Sequence, residues 1–236
     1  MITLALDMAI FAIIGFCGWR GYKNGLIRGV FGVVTLILSL FIASVTASAY
    51  STEFKEALNP FVGGVIDSTL IDIMEEEENP YPETEEMEDV TEGFKLSYST
   101  LRRIGLPESA SLRVAELTAQ DNEEDVTSPN FLSGKIAENL SSVFTFAAVF
   151  GVAFIVLAIV FTVIGNLVSV ALSLPGLKLV DAIVGAALGI VKGLIVVFTL
   201  SAIIRYVGLL APETLEGTAV LKYFVNNNLI ADLIGI

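Results

Sequence analysis

Two uncharged stretches constrain the fold of this 236-residue chain more than any other feature. Residues 29–52 provide 24 consecutive uncharged residues, and residues 139–177 provide 39. A helix needs about 20 mainly apolar residues to cross roughly 30 Å of hydrocarbon. The alternative, buried helices of a soluble protein, is weaker because such helices usually carry a polar face. The two stretches therefore predict membrane-spanning helices.

Two other stretches are nearly as apolar. Residues 1–19 contain one charged side chain, Asp7, and lack the basic start and the cleavage site of a signal peptide. Residues 182–204 also contain one, Lys192. The four stretches together predict an all-α membrane protein whose four spans form a bundle of two helix hairpins.

Charge divides the chain into four segments. Residues 51–138 carry 21 acidic and 6 basic residues, whereas the rest of the chain carries 5 acidic and 7 basic residues. We interpret residues 1–50 as the first transmembrane hairpin, 51–138 as an acidic insert that combines helices with disordered loops, 139–207 as the second hairpin and 208–236 as a tail.

Within the insert, apolar residues recur at helical spacing. This spacing predicts helices over residues 61–73, 95–104 and 109–119, the last capped by Ser109 behind Pro107. In the tail, the pattern from Ala219 to Val225 predicts another short helix.

Acidic stretches at residues 83–92 and 121–125 separate the predicted helices. Clustered carboxylates attract calcium, but the second stretch lacks the glycine and the later glutamate of an EF-hand loop. Solvated loops are the simpler interpretation, and we predict no metal site and no cofactor.

Basic residues predict the orientation in the membrane. Arg20, Lys23 and Arg28 lie between the first two spans, and Lys178 lies between the last two. Short connections rich in lysine and arginine stay in the cytoplasm. We therefore expect a multi-pass protein of the cell (inner) membrane, with both termini and the 51–138 insert on the extracytoplasmic side.

Glycines recur at intervals of four in both predicted hairpins. Small residues at this interval line one helix face and let a neighbouring backbone approach closely. Lys192 in the second run occupies the position of Arg28 in the first, which suggests a parallel repeat, although chance in a glycine-rich chain is the alternative. The predicted packing residues are Gly21, Gly25, Gly29, Gly185, Gly189 and Gly193.

Longer segments around these glycines resemble the colicin V production protein (CvpA) family. They are Asp7 with residues 20–29, and residues 175–185 with 188–197. The resemblance extends over residues 1–50 and 140–210, with Ala182 at a position where the family often has arginine. It implies a bacterial inner-membrane protein of about four spans, linked to colicin V export or production and to membrane homeostasis.

Four charged residues are predicted to lie within or at the edge of the membrane: Asp7, Arg28, Asp181 and Lys192. A charge near the centre of a membrane helix costs roughly 2.5–3.5 kcal/mol on insertion scales. If the first helix ends at Trp19, Asp7 and Lys192 are nearly level, so we consider an ion pair between them. The alternatives are that Asp7 lies in the outer headgroup region and that Lys192 snorkels to the cytoplasmic side.

Composition narrows the functional classes. The chain has no histidine and one cysteine, which excludes histidine-based triads and internal disulfides. It has no basic patch for binding nucleic acid. We expect no enzyme, and we expect as partners the lipid bilayer, other membrane or envelope proteins and a second copy of the chain.

The favoured function is therefore a non-enzymatic envelope scaffold or an export and membrane-homeostasis factor. The alternative is a channel or transporter subunit, in which Asp7, Asn166, Arg28 and Lys192 would converge on a hydrated cavity. An enzyme acting on lipid ranks third, because no polar constellation stands out at the outer interface.

Overall fold

Every regular element in the described part of the chain is a helix, so the all-α class is confirmed. The computed structural model describes residues 2–75, 90–120, 129–171, 178–207, 210 and 212–234. The helices are α1 (Ile2–Glu75), α2 (Glu92–Arg103), α3 (Glu108–Gln120), α4 (Pro129–Ala171), α5 (Lys178–Val207), α6 (Pro212–Glu216), α7 (Val220–Asn226) and α8 (Leu229–Ile234).

Helix α1 is broken at Gly25, which has φ 76° and ψ −178°. This left-handed backbone conformation is open to glycine and strained for other residues. The break divides α1 into a first arm (residues 2–24) and a second arm (residues 26–75). The first arm thus extends five residues beyond the predicted end at Trp19, because no residue before Gly25 interrupts the helix.

The chain reverses direction at Gly25, as its contacts with α5 show. Along the first arm, Gly21 lies against Gly185 and Ile14 lies against Gly193, so this arm is antiparallel to α5. Just after the break, residues 29 and 32 lie beside Leu188 and Lys192, so the second arm starts parallel to α5.

The second arm then runs antiparallel to α4. Thr35 lies beside Gly165, near the end of α4, and Lys55 forms a 3.0 Å ion pair with Glu138, near its start. Between these points Leu36 and Ala43 of the second arm and Phe150 of α4 belong to one buried apolar cluster. The second arm continues through the expected boundary at residue 51 and through Pro60 to Glu75, so the helix expected over 61–73 is its final part.

Three helices are long and apolar enough to cross a membrane: Ile2–Met74, Asn130–Gly165 and Val180–Val207. In their most apolar stretches only 28%, 22% and 28% of the residues are buried. Most of these apolar side chains are therefore at least partly exposed, which is favourable in lipid and unfavourable in water. These features indicate a membrane protein.

Five shorter helices, α2, α3, α6, α7 and α8, lie at the end of the bundle remote from Gly25, and we call them the platform. Helix α2 begins at an N-cap, Thr91, whose hydroxyl accepts a hydrogen bond from the Phe94 N–H. It ends in a Schellman motif, in which Gly105 has φ 99° and the Leu106 N–H donates to the Leu101 carbonyl. These ends agree closely with the predicted helix at 95–104.

Helix α3 begins at Glu108, so the prediction of Ser109 as its N-cap is wrong. Ser109 lies in the first turn, and its carbonyl accepts a 2.7 Å hydrogen bond from Arg205 of α5. A second link to the spanning helices is the 3.3 Å hydrogen bond that Asn139 of α4 donates to Thr118.

The platform has a side-chain core of its own. Tyr98, Leu101 and Val114 pack with Ile66 of the second arm and Ile136 of α4, and all five are buried. A 3.0 Å ion pair between Arg102 and Glu216 joins α2 to α6. Most of the predicted acidic loops fall in residues 76–89 and 121–128, which lie outside the described residues. The structure therefore does not test the calcium hypothesis for the second loop.

Candidate functional site

The glycines predicted as packing residues bring the first arm and α5 into backbone contact. Gly21 lies against the carbonyl of Gly185, and a Cβ on Gly21 would be 2.8 Å from the Cα of Gly189. A Cβ on Gly189 would in turn meet the Cys17 carbonyl and lie 3.0 Å from the Cα of Gly18. Since the obstructing atoms belong to the backbone, they could move aside only if the helices separated.

The outer members of the two runs make looser contacts. A Cβ on Gly193 would lie 3.0 Å from the Cα of Ile14, whereas a Cβ on Gly29 would meet the side chain of Leu188 at 2.9 Å. The two runs of glycines therefore lie against each other where the first arm crosses α5, and Gly29, on the second arm, contacts a side chain.

Asp181 binds the chain where it reverses. Its carboxylate oxygen Oδ1 accepts a 2.7 Å hydrogen bond from the Leu26 N–H, the first donor of the second arm. A carboxylate at this position caps a helix N-terminus and interacts favourably with the helix dipole. The carboxylate also fills the space beside Gly25 that a Cβ would need. Asp181 and Gly25 thus form one structural unit, and we call this end of the bundle the Gly25 end.

Asp7 caps a helix at the other end of the bundle. Its two oxygens accept hydrogen bonds of 3.0, 3.1 and 3.0 Å from the N–H groups of Ala219, Val220 and Leu221, at the start of α7. These bonds attach the start of the first arm to the platform. The hypothesis of an ion pair between Asp7 and Lys192 is therefore wrong.

The ion-pair hypothesis failed because it placed the end of the first helix at Trp19. The first arm extends to residue 24, and Asp181 lies level with Gly25. At 1.5 Å per residue, Asp7 lies about 27 Å from this level, but Lys192 only about 16 Å. The extra turn and a half of helix separates the two charges.

A cavity of about 220 Å³ lies between the two arms, α4 and α5, towards the Gly25 end. No residue that the structure describes in its lining is acidic. Arg20 and Arg28 are exposed and Lys192 is half-buried. The polar residues of the lining are Arg20, Arg28, Lys192, Cys17, Asn24, Thr35 and Thr162.

Lys192 reaches this cavity along Gly32. Its Cδ and Nζ atoms would both lie 3.6 Å from a Cβ on Gly32, so the glycine leaves a passage for the side chain. The structure thus brings two of the four predicted charges, Arg28 and Lys192, into one cavity and places Asp7 and Asp181 elsewhere. The side chain of Asn166 lies outside the described part of the structure.

Sequence reasoning assigned no role to Gly32 or to Asn228. Asn228 caps α8 by accepting hydrogen bonds from the Ile230 and Ala231 N–H groups, and its Nδ2 donates a 2.9 Å bond to the Phe198 carbonyl of α5. An asparagine just before an apolar run is a helix-start signal that could have found this cap. Among the described residues, no group of three or more cysteine or acidic side chains could hold a metal ion.

Comparison with known proteins supports the resemblance noted in the sequence. The family model described as colicin V production protein matches residues 117–228. This stretch, a little under half of the chain, is similar to that family. No curated protein and no solved structure matches the chain.

The colicin V production region contains α4, α5, α6 and α7 and the end of α3. It therefore supplies Asp181, Lys192 and the second run of glycines, while α1 lies outside the match. The apolar helices indicate a membrane protein, and about half of it resembles the colicin V production protein family.

Proposed function

We propose that the chain crosses the inner membrane four times, with the two arms of α1 as the first two spans and with α4 and α5 as the third and fourth. The reversal at Gly25 supports this arrangement, because each arm has enough residues to cross the hydrocarbon. The antiparallel pairing of the second arm with α4 supports it as well.

In this arrangement the Gly25 end faces the cytoplasm. Arg20, Lys23 and Arg28 all lie within five residues of Gly25, as the positive-inside rule requires of a cytoplasmic connection. Both termini and the platform then lie on the extracytoplasmic side.

Cysteine labelling tests the topology. In a Cys17→Ser background, single cysteines replace the exposed residues Tyr22, Glu116 and Asn227. An impermeant maleimide should label positions 116 and 227 in intact spheroplasts, and position 22 only after permeabilisation. Labelling of position 22 but not of 116 would reverse the orientation. Labelling of all three before permeabilisation would contradict the four-span arrangement.

The function that the geometry supports best is a non-enzymatic scaffold that presents the platform to other envelope proteins. The observation that carries this proposal is that the side chains of Asp7, Asp181 and Asn228 all accept hydrogen bonds at helix N-termini. Asp181 and Asp7 cap helices distant in the sequence, Asn228 caps the helix that follows it, and Asp7 and Asn228 attach platform helices to the spans. Side chains that are engaged in such hydrogen bonds hold helices in place and do not line a path for a substrate. They therefore favour a fixed supporting structure over a transporter.

Affinity capture in mild detergent with quantitative mass spectrometry tests the scaffold role. The wild-type chain and a Lys192→Gln variant should enrich the same envelope proteins, because Lys192 lies far from the platform. An unrelated four-span protein serves as the control. A set of captured proteins identical to that of the control would contradict the proposal.

The second candidate, a channel or transporter subunit, is favoured by one observation, the meeting of Arg28 and Lys192 in a cavity. Anion flux into proteoliposomes that disappears in Lys192→Gln would support this candidate over the scaffold.

A further inference from the structure

The cavity at the Gly25 end concentrates positive charge. Arg20 comes from the first arm, Arg28 from the second and Lys192 from α5, so three different segments direct a cation into one space of about 220 Å³. None of the ion pairs among the described residues involves these three side chains. The connection between α4 and α5, residues 172–177, has no acidic residue in its sequence.

Such an arrangement is unfavourable without an anion. Because Lys192 is half-buried, water screens its repulsion from the two exposed arginines less than it would in bulk solution. A phosphate group bound between them would offset the repulsion. Guanidinium groups suit a phosphate well, since their donors match two of its oxygens at once. Asn24 and Thr162 place further hydrogen-bonding groups in the same lining.

The position of the cavity indicates where the phosphate comes from. At 1.5 Å per residue, Arg28 and Arg20 lie about 4.5 and 7.5 Å from the level of Gly25, at headgroup depth. The Lys192 Nζ lies beside Gly32, about 10 Å from this level, near the depth of the glycerol. Apolar side chains beside the lining are exposed at Val34, Val163 and Ile164. A lipid whose headgroup enters the cavity could lay its acyl chains over these side chains.

We propose that this cavity binds the phosphate group of an anionic phospholipid of the inner leaflet. Basic pockets between membrane helices on the cytoplasmic side suit such headgroups. The inference rests on the spanning arrangement proposed above. It requires the Gly25 end to lie at a membrane surface, but it does not require the scaffold role.

The test measures lipid binding to the full chain purified in a neutral detergent. Dioleoyl phosphatidylglycerol, dioleoyl phosphatidylcholine and inorganic phosphate are added separately, and the melting temperature and native mass spectra are recorded. Phosphatidylglycerol should bind and raise the melting temperature, whereas phosphatidylcholine should have much less effect. Equal effects of the two lipids would overturn the proposal. Equal protection by inorganic phosphate alone would overturn the lipid assignment in favour of a free-anion site.

Variants locate the site. Arg28→Gln and Lys192→Gln should each weaken phosphatidylglycerol binding about five-fold, the equivalent of roughly 1 kcal/mol per basic residue. Lys23→Gln is the matched control, because Lys23 is basic and lies near Gly25 but stacks on Trp19 at 4.0 Å from the ring centroid. Melting temperatures without lipid that are at least as high as that of the wild type would show that the variants fold, because each substitution removes one of the repelling cations.

Unaltered binding in both cavity variants would overturn the assignment, as would an equal loss in Lys23→Gln. Because the measurement is made in detergent, its result is independent of the labelling experiment. Failure of the lipid site therefore leaves the proposed topology standing, and a reversed topology would show in the labelling alone.

Discussion

The two ends of the molecule are held together by different contacts. At the Gly25 end, Gly21, Gly185 and Gly189 bring two helix backbones together with no side chain between them. In the platform, Leu101 and Val114 lie fully buried among other side chains. In lipid, apolar burial gives little driving force, so close backbone packing must hold helices together, whereas in water a buried side-chain core does so. In the proposed arrangement the glycines pack spans within the membrane whereas the platform lies in water, which accounts for the contrast.

The largest effect should come from Gly21→Leu. The new side chain would overlap the Gly185 carbonyl and the Gly189 backbone, which cannot move without separating the first arm from α5. We expect a loss of more than roughly 3 kcal/mol, the upper end of the usual cost of overpacking. Thermal unfolding in mild detergent measures it.

Gly15→Leu is the matched control on the same arm, because a Cβ there would meet no atom within 4 Å. If the two variants unfolded at the same temperature, close packing of the glycines would not be what holds this end together.

A smaller effect should come from truncating one leucine in each region. Leu101→Ala empties part of the platform core and should cost roughly 3 kcal/mol. Leu38→Ala, on the second arm, removes the same atoms from a side chain that is 44% exposed. Detergent or lipid can fill that space, so we expect a loss of about 0.5 kcal/mol or less. Urea unfolding in detergent compares the two variants, and equal losses would contradict a difference in solvent between the regions.

Local sequence pattern predicted the long helices and, in the platform, α2, α3 and α7, but it did not predict α6 and α8. The apolar stretches predicted the long helices because crossing a membrane demands length and apolarity, and the spacing around Leu101 and Val114 predicted α2 and α3. Pattern also singled out the glycines, because intervals of four lie on one helix face.

Local sequence pattern could not identify which residues contact one another across the fold. The hydrogen bonds from residues 219–221 to Asp7 join segments more than 200 positions apart, and no local spacing records such a pairing. The sequence also did not show the break at Gly25, since nothing in it marks which of the 20 glycines have a positive φ. Without that break, the first helix was predicted to end at Trp19 instead of residue 24. The wrong end led to the wrong partner for Asp7. The cavity was missed for a related reason, because its cations come from three separate segments.

The smallest expected effect is the coupling between Asp7 and Lys192, which tests whether the two ends are independent. Asp7 is hydrogen-bonded to α7, and Lys192 lies in the cavity about two helical turns, or roughly 10 Å, closer to the Gly25 end. Sites more than about 7–10 Å apart with no shared partner are additive within roughly 0.3–0.5 kcal/mol. The losses in free energy of unfolding caused by Asp7→Asn and Lys192→Gln should therefore add up to the loss in the double variant.

A parallel cycle with Lys55→Gln and Glu138→Gln provides the positive control, because that pair is in contact at 3.0 Å and should show a coupling of roughly 0.5–1 kcal/mol. A coupling for Asp7 and Lys192 as large as that of the control would mean that the two ends communicate, and the capping role of Asp7 would then not account for its position.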